Sequence, residues 1–135
     1  MLRDEGLVDE VMNLVEYPVP VMGSFSKDFL RVPKEVLITA MREHQRYFSV
    51  VDNQGTLLPY FITISNTRAE DMGVVQAGNE RVLTARMSDA AYFFDHDMRA
   101  PLADRVEGLK KVTYQEKRGS VYDKTARIRD LAVSL

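Results

Sequence analysis

Apolar positions change their spacing several times along this chain, and each change marks an element. In "LVDEVMNLV", residues 7–15, they recur three and four apart, the spacing of one helix face. "EYPVPVMGSF" follows. Pro18 and Pro20 exclude a helix and favour extended chain, which predicts a strand over residues 19–24 at a sheet edge. Pro33 opens the next helix, because a first turn accepts proline, and Val36, Leu37, Ala40 and Met41 form its stripe. "RYFSVVD" and "LLPYFITISN" are rich in β-branched and aromatic residues. The turn former "DNQG" between them makes a β-hairpin. A long helical pattern covers residues 72–97. Pro101 starts another helix with Leu102, Val106 and Leu109 on one face. A last helix from about Ser120 carries Val121, Thr125, Ile128, Ala132 and Leu135.

The order is helix, strand, helix, hairpin, then three helices. That is an α+β chain with a small, largely antiparallel sheet and a helical C-terminal half. Residues 1–112 are expected to form the α+β domain and residues 113–135 to begin a following helical region. The apolar stripe of the last helix is still running at Leu135, as expected of a piece of something longer.

Composition narrows the class. Of 135 residues, 45% are hydrophobic and 28% charged, the balance of a globular domain long enough to bury a core. No apolar run reaches the ~18 residues of a membrane span, and "MLRDEGLVDEV" lacks the regions of a signal peptide. With no cysteine there is neither disulfide nor thiolate zinc site, which fits a cytoplasmic location. The net charge of −2 hides an asymmetry. Residues 1–98 carry 9 basic and 15 acidic side chains, and residues 99–135 carry 9 basic and 5 acidic. The C-terminal third either faces a polyanion or consists of solvated helix faces.

Four features invite a chemical reading. His44, in "MREHQRYFSV", falls on the apolar stripe near a helix end. It is either a polar joint, with Gln45, to the strand starting at Tyr47, or a contact to RNA; no partner for a general base is visible. In that strand Tyr47 and Phe48 alternate, so only one is expected to face the packed side. On the long helix, Val75, Val82 and Phe93 share a line with Ala90 beside it, and Asn79 and Arg86 fall in the same sector, with Asp89 at its edge. Arg86 is then either paired internally with Asp89 or Asn79, or presented to a phosphate or a partner chain. Tyr47, Phe48, Tyr60 and Phe61, interleaved with Arg42 and Arg46, either stack on bases or fill the core. His44 and His96 lie 52 residues apart without metal-ligand spacing, although Asp95 and Asp97 flank His96, so no metal site is expected. No glycine-rich phosphate loop, nucleophile elbow or working carboxylate pair is present, and no catalytic residue is assigned.

Five stretches carry a family resemblance: "VEYPVPVMGSF", "VPKEVLITAMREHQRYF", "LLPYFITISN", "GNERVLTARMSDAAYFF" and "YQEKRGSVYDKTARI". Together they resemble the β subunit of bacterial heterotetrameric glycine–tRNA ligase, in the family's order from about Val11 to Leu131. Ser49 departs from the pattern, standing where relatives carry proline. The resemblance implies a β subunit several times longer, of which this is an N-terminal portion. It implies that the α subunit joins glycine, ATP (with magnesium) and tRNA, while the β subunit supports tRNA(Gly) recognition and assembly. The chain would then hold no cofactor and be inactive alone. The implied fold resembles the editing-type domain of the phenylalanine–tRNA ligase large subunit. No cysteine or threonine nucleophile stands out for editing. The alternatives are hydrolysis of mischarged tRNA and a pure scaffold for the α subunit. The tRNA-binding candidates are Arg42, Arg46, Lys110, Lys111, Lys117, Arg118, Lys124 and Arg127, with Arg129 beside them.

Overall fold

A computed structural model describes residues 3–134. The elements run α1 (Glu5–Leu14), β1 (Val19–Ser24), α2 (Lys34–Gln45), β2 (Phe48–Val51), β3 (Leu57–Ser65) and α3 (Met72–Asp97). They continue with β4 (Thr113–Gln115), β5 (Gly119–Ser120) and α4 (Val121–Ser134). Single stretches of 3-10 helix occupy Lys27–Arg31 and Leu102–Lys111. The fold is α+β, with an antiparallel sheet and a helical C-terminal half. Contacts divide the chain into two compact units, Met1–Phe94 and Asp95–Leu135.

In the first unit β3 lies between β1 and β2, antiparallel to both. β1 keeps its ladder through Pro20, opposite Ile64, because at an edge a missing N–H costs no sheet bond on its outer side. The hairpin turn is held by Asp52, whose carboxylate accepts from the backbone N–H groups of Gln54 and Thr56, both at 2.8 Å. Those donors, that of Thr56 foremost, hold its carboxyl below the usual range. Gly55 supplies the left-handed residue of that turn, at φ 81°.

The sheet is packed on both faces, which corrects the expectation that only one aromatic of the Tyr47–Phe48 pair would be buried. Tyr47 joins Phe25, Val32, Leu37, Met41, Leu57, Phe61, Leu83, Met87 and Ala91 under α2 and α3. Phe48 joins Leu7 and Val11 of α1, with Ile62 and Ile64 alongside. Alternation along the strands delivers successive side chains to opposite cores. Phe61, Leu37, Met41, Leu83 and Met87 are fully buried, each worth roughly 1.5–3 kcal/mol of burial. Tyr47 stacks on Phe61 with ring centroids 4.7 Å apart. Gly23 faces that ring from β1, and a Cβ there would lie 2.4 Å from Cζ of Phe61.

Ser49 is buried opposite Phe61, and the β2 register shifts between Ser49 and Val51. At the other edge Glu80 of α3 accepts from the backbone N–H of Ser24 at 2.8 Å and from its hydroxyl at 3.1 Å. Hydrogen bonds from Gln76 and from Ser24 hold the Glu80 carboxyl below its ordinary value.

The second unit contains the β4–β5 ribbon, absent from the sequence-based expectation, and α4. Thr113 pairs with Ser120 and Gln115 with Gly119. The region expected as a helix after Pro101 is 3-10 helix, and Leu102 is 83% exposed.

Candidate functional site

Two regions hold the basic side chains proposed from sequence. The first lies where α2 meets α1. Arg42 donates from Nε to Asp4 at 2.8 Å and also pairs with Glu43. Those bonds, to Asp4 first, raise the guanidinium's pKa. Asp4 caps α1 by accepting from the N–H of Leu7 at 2.9 Å. The bond from Leu7, followed by that from Arg42, pulls its carboxyl below the ordinary value. Arg46 donates to Glu10 at 2.7 Å and to the carbonyl of Glu43 at 2.7 Å. Both arginines thus bridge α1 and α2, and their charge is already answered by carboxylates.

His44 and Gln45 do not make the expected joint. His44 is exposed and, among the described residues, has no hydrogen-bond partner. The helix is closed instead by Arg46 in the left-handed region (φ 55°, ψ 38°), whose N–H reaches the carbonyl of Arg42 at 3.1 Å. The N–H of Tyr47 then bonds the carbonyl of Met41 at 3.0 Å, which aims the chain into β2. The joint is a backbone device, so the polarity of His44 and Gln45 gave no signal of it.

α3 also corrects the sequence reading. Its buried line is Leu83, Met87 and Ala91, continuous with partly buried Val75, Asn79 and Phe94, whereas Val82 and Phe93 are 45% and 62% exposed. Arg86 and Asp89 are exposed, and the internal pair does not form. Asn79 is committed elsewhere. It accepts from the Tyr47 hydroxyl at 2.6 Å and donates to the carbonyl of Val75 at 2.8 Å. Tyr60 is 39% exposed, while Tyr47, Phe48 and Phe61 are core, so this set does not form a stacking surface.

The second basic region is the ribbon with the start of α4. The turn at its tip closes by a 2.8 Å bond from the N–H of Arg118 to the carbonyl of Gln115. Gly119 then takes φ +79°, and a Cβ on it would lie 2.5 Å from Oδ2 of Asp123. Ser120 and Asp123 form a reciprocal cap at the start of α4. The Asp123 carboxylate accepts from the Ser120 N–H at 2.8 Å and hydroxyl at 2.7 Å, and the Ser120 hydroxyl accepts from the Asp123 N–H at 3.2 Å. Those bonds lower the Asp123 pKa.

Two cations of this region lie over aromatic rings. Lys124 Nζ is 4.4 Å from the centroid of Tyr114, and Lys110 Nζ is 4.7 Å from that of Tyr122. Lys110 also pairs with Glu107 at 2.6 Å, Arg127 donates to the carbonyl of Arg118 at 3.3 Å, and Arg129 pairs with Asp130. Lys111, Lys117 and Arg118 are exposed and, among the described residues, their side chains have no ion-pair partner. Sequence reasoning missed Tyr114, Tyr122 and Asp123. The Ser-x-x-Asp spacing was the signal available for the last.

His96 lies in the last turn of α3, and its carbonyl accepts from Arg105 at 2.7 Å. Among the described residues no three metal-ligating side chains gather, and no helix is long and apolar enough to cross a membrane.

Comparison with known proteins supplies the wider class. Residues 1–135 match the family described as "Glycyl-tRNA synthetase beta subunit". The chain is 61% identical over 135 residues to the "Glycine--tRNA ligase beta subunit" of Geobacter sulfurreducens, covering 100% of this chain and 20% of the relative. The proteins of the same name from Geotalea uraniireducens and Trichlorobacter lovleyi are each 62% identical, covering 98% and 100% of this chain and 19% and 20% of theirs. The relatives named here are subunits of one class of enzyme, the aminoacyl-tRNA ligases. The chain belongs to the glycyl-tRNA synthetase beta subunit family. It spans about one fifth of the length of the curated relatives it matches.

Proposed function

We propose that this chain works as part of the β subunit of a bacterial glycine–tRNA ligase, supporting tRNA(Gly) recognition and assembly with the α subunit. The match over residues 1–135 to that family is the observation that carries the reading. On this reading ATP, with magnesium, and glycine are handled by the α subunit in a cytoplasmic heterotetramer. This chain contributes a rigid sheet packed on both faces and a basic ribbon. The test is glycine-dependent ATP–pyrophosphate exchange. The purified chain should give no exchange above a no-protein control, and full-length β subunit with α subunit should restore charging of tRNA(Gly). Exchange by the chain alone would overturn the division of labour. Hydrolysis of mischarged tRNA by the chain alone would assign it an editing role instead.

A further inference from the structure

The basic residues of this chain differ in how far their charge is already answered. Arg42 and Arg46 are held by Asp4, Glu43 and Glu10. At the ribbon tip the balance is reversed. Lys117 and Arg118 are exposed on the turn, and the Asp123 carboxylate at the start of α4 is occupied by both donors of Ser120. Glu116 shares the turn as the opposing charge. Lys124 and Arg127 are joined to the same ribbon, one over the ring of Tyr114 and one on the carbonyl of Arg118.

The tip is also well anchored. Gly119 fits against Asp123 where a Cβ would collide, the reciprocal cap locks the ribbon to α4, and the N–H of Val121 bonds the carbonyl of Val112 at 2.8 Å. An anchored backbone fixes where these cations are presented and removes part of the ordering cost of meeting an anion. Tyr114, 45% exposed, adds an aromatic surface beside those cations.

From this arrangement we infer that the β4–β5 turn and the first turns of α4 form a contact for the phosphodiester backbone of tRNA, with Lys117 and Arg118 as its leading cations. The inference rests on the tRNA-handling reading above and specifies where, and by what chemistry, the contact is made. It excludes the Arg42–Arg46 corner as a main phosphate site, because a phosphate there would have to displace paired carboxylates. A backbone contact is blind to base identity, so its signature is a salt dependence shared by different tRNAs.

The test uses full-length β subunit assembled with α subunit. Binding of tRNA(Gly) and of an unrelated tRNA is measured against salt for wild type, K117Q/R118Q and R86Q, the last removing an exposed cation on α3. Loss of two phosphate contacts should reduce the slope of log affinity against log salt by about 1.5 and weaken binding at low salt by about tenfold. Both tRNAs should be affected alike, and R86Q should match wild type. An unchanged slope and affinity in K117Q/R118Q would overturn the inference. So would an equal loss in R86Q, which would mean diffuse attraction, or a loss confined to tRNA(Gly), which would mean base readout. If wild type binds neither tRNA, the broader reading falls with it.

Discussion

At the scale of single residues, the outcome turns on what each side chain touches. Gly23 has no room for a methyl group against the Phe61 ring, so Gly23→Ala should overpack the core and cost about 1–3 kcal/mol, read from a urea midpoint. Arg86→Ala and His44→Ala should each stay within about 0.5 kcal/mol, since both side chains are exposed and neither has a partner among the described residues. Tyr47→Phe should cost about 1 kcal/mol, because it removes the donor to Asn79. Burial raises the Tyr47 phenol above its ordinary value. A raised folded pKa means a contribution fully present below about pH 10 and lost as pH rises through the folded value. Tyr47→Phe should therefore show a smaller alkaline loss of stability than wild type. Composition alone did not separate buried from exposed aromatics. Tyr47 and Phe48 could equally be read as base-stacking or as core beside two arginines, and those arginines belong to a helix-to-helix bridge.

At the scale of elements, strand β1 and helix α3 were legible to the residue, because prolines and turn formers bound the one and a long proline-free stretch between the turn formers of "SNTRAED" and Pro101 holds the other. The phase of α3 was not. Its buried residues step by four, a ridge that winds round the helix, whereas a straight line drawn at 100° per residue leads to Val82 and Phe93. The ribbon was illegible for another reason. Its strands are only 3 and 2 residues long and every β4 side chain is exposed, so no alternation of apolar and polar positions exists to be read. The link between α1 and α2 yields a pH expectation. The carboxyl of Asp4 is held low by Leu7 and then Arg42, so its contribution is present above about pH 4 and lost as pH falls through the folded value. Asp4→Asn keeps a capping side chain but not the charge. Its unfolding midpoint should fall less than that of wild type between pH 6 and pH 3; equal falls would show that this pair does not couple the helices.

At the scale of the whole molecule, the sequence's charge asymmetry acquires a structural meaning. The acid-rich first unit uses carboxylates as internal fastenings: Asp4 and Glu10 to α2, Asp52 in the turn, Glu80 to β1. The second unit carries more basic than acidic side chains, and that surplus, invisible in a net charge of −2, is what separates the candidate site from the rest of the chain.

The fastening of Glu80 on Ser24 reaches beyond the first unit's own stability. The outward N–H groups of an edge strand are every second one, and on β1 Ser24's is taken by Glu80 while Pro20 has none to give. A foreign strand approaching this border meets one donor, at Met22, and a carboxylate. Such a border resists the strand-by-strand stacking that turns an open sheet into an aggregate. Glu80→Ala would unblock it, and light scattering of the concentrated chain should then rise with time while wild type stays clear.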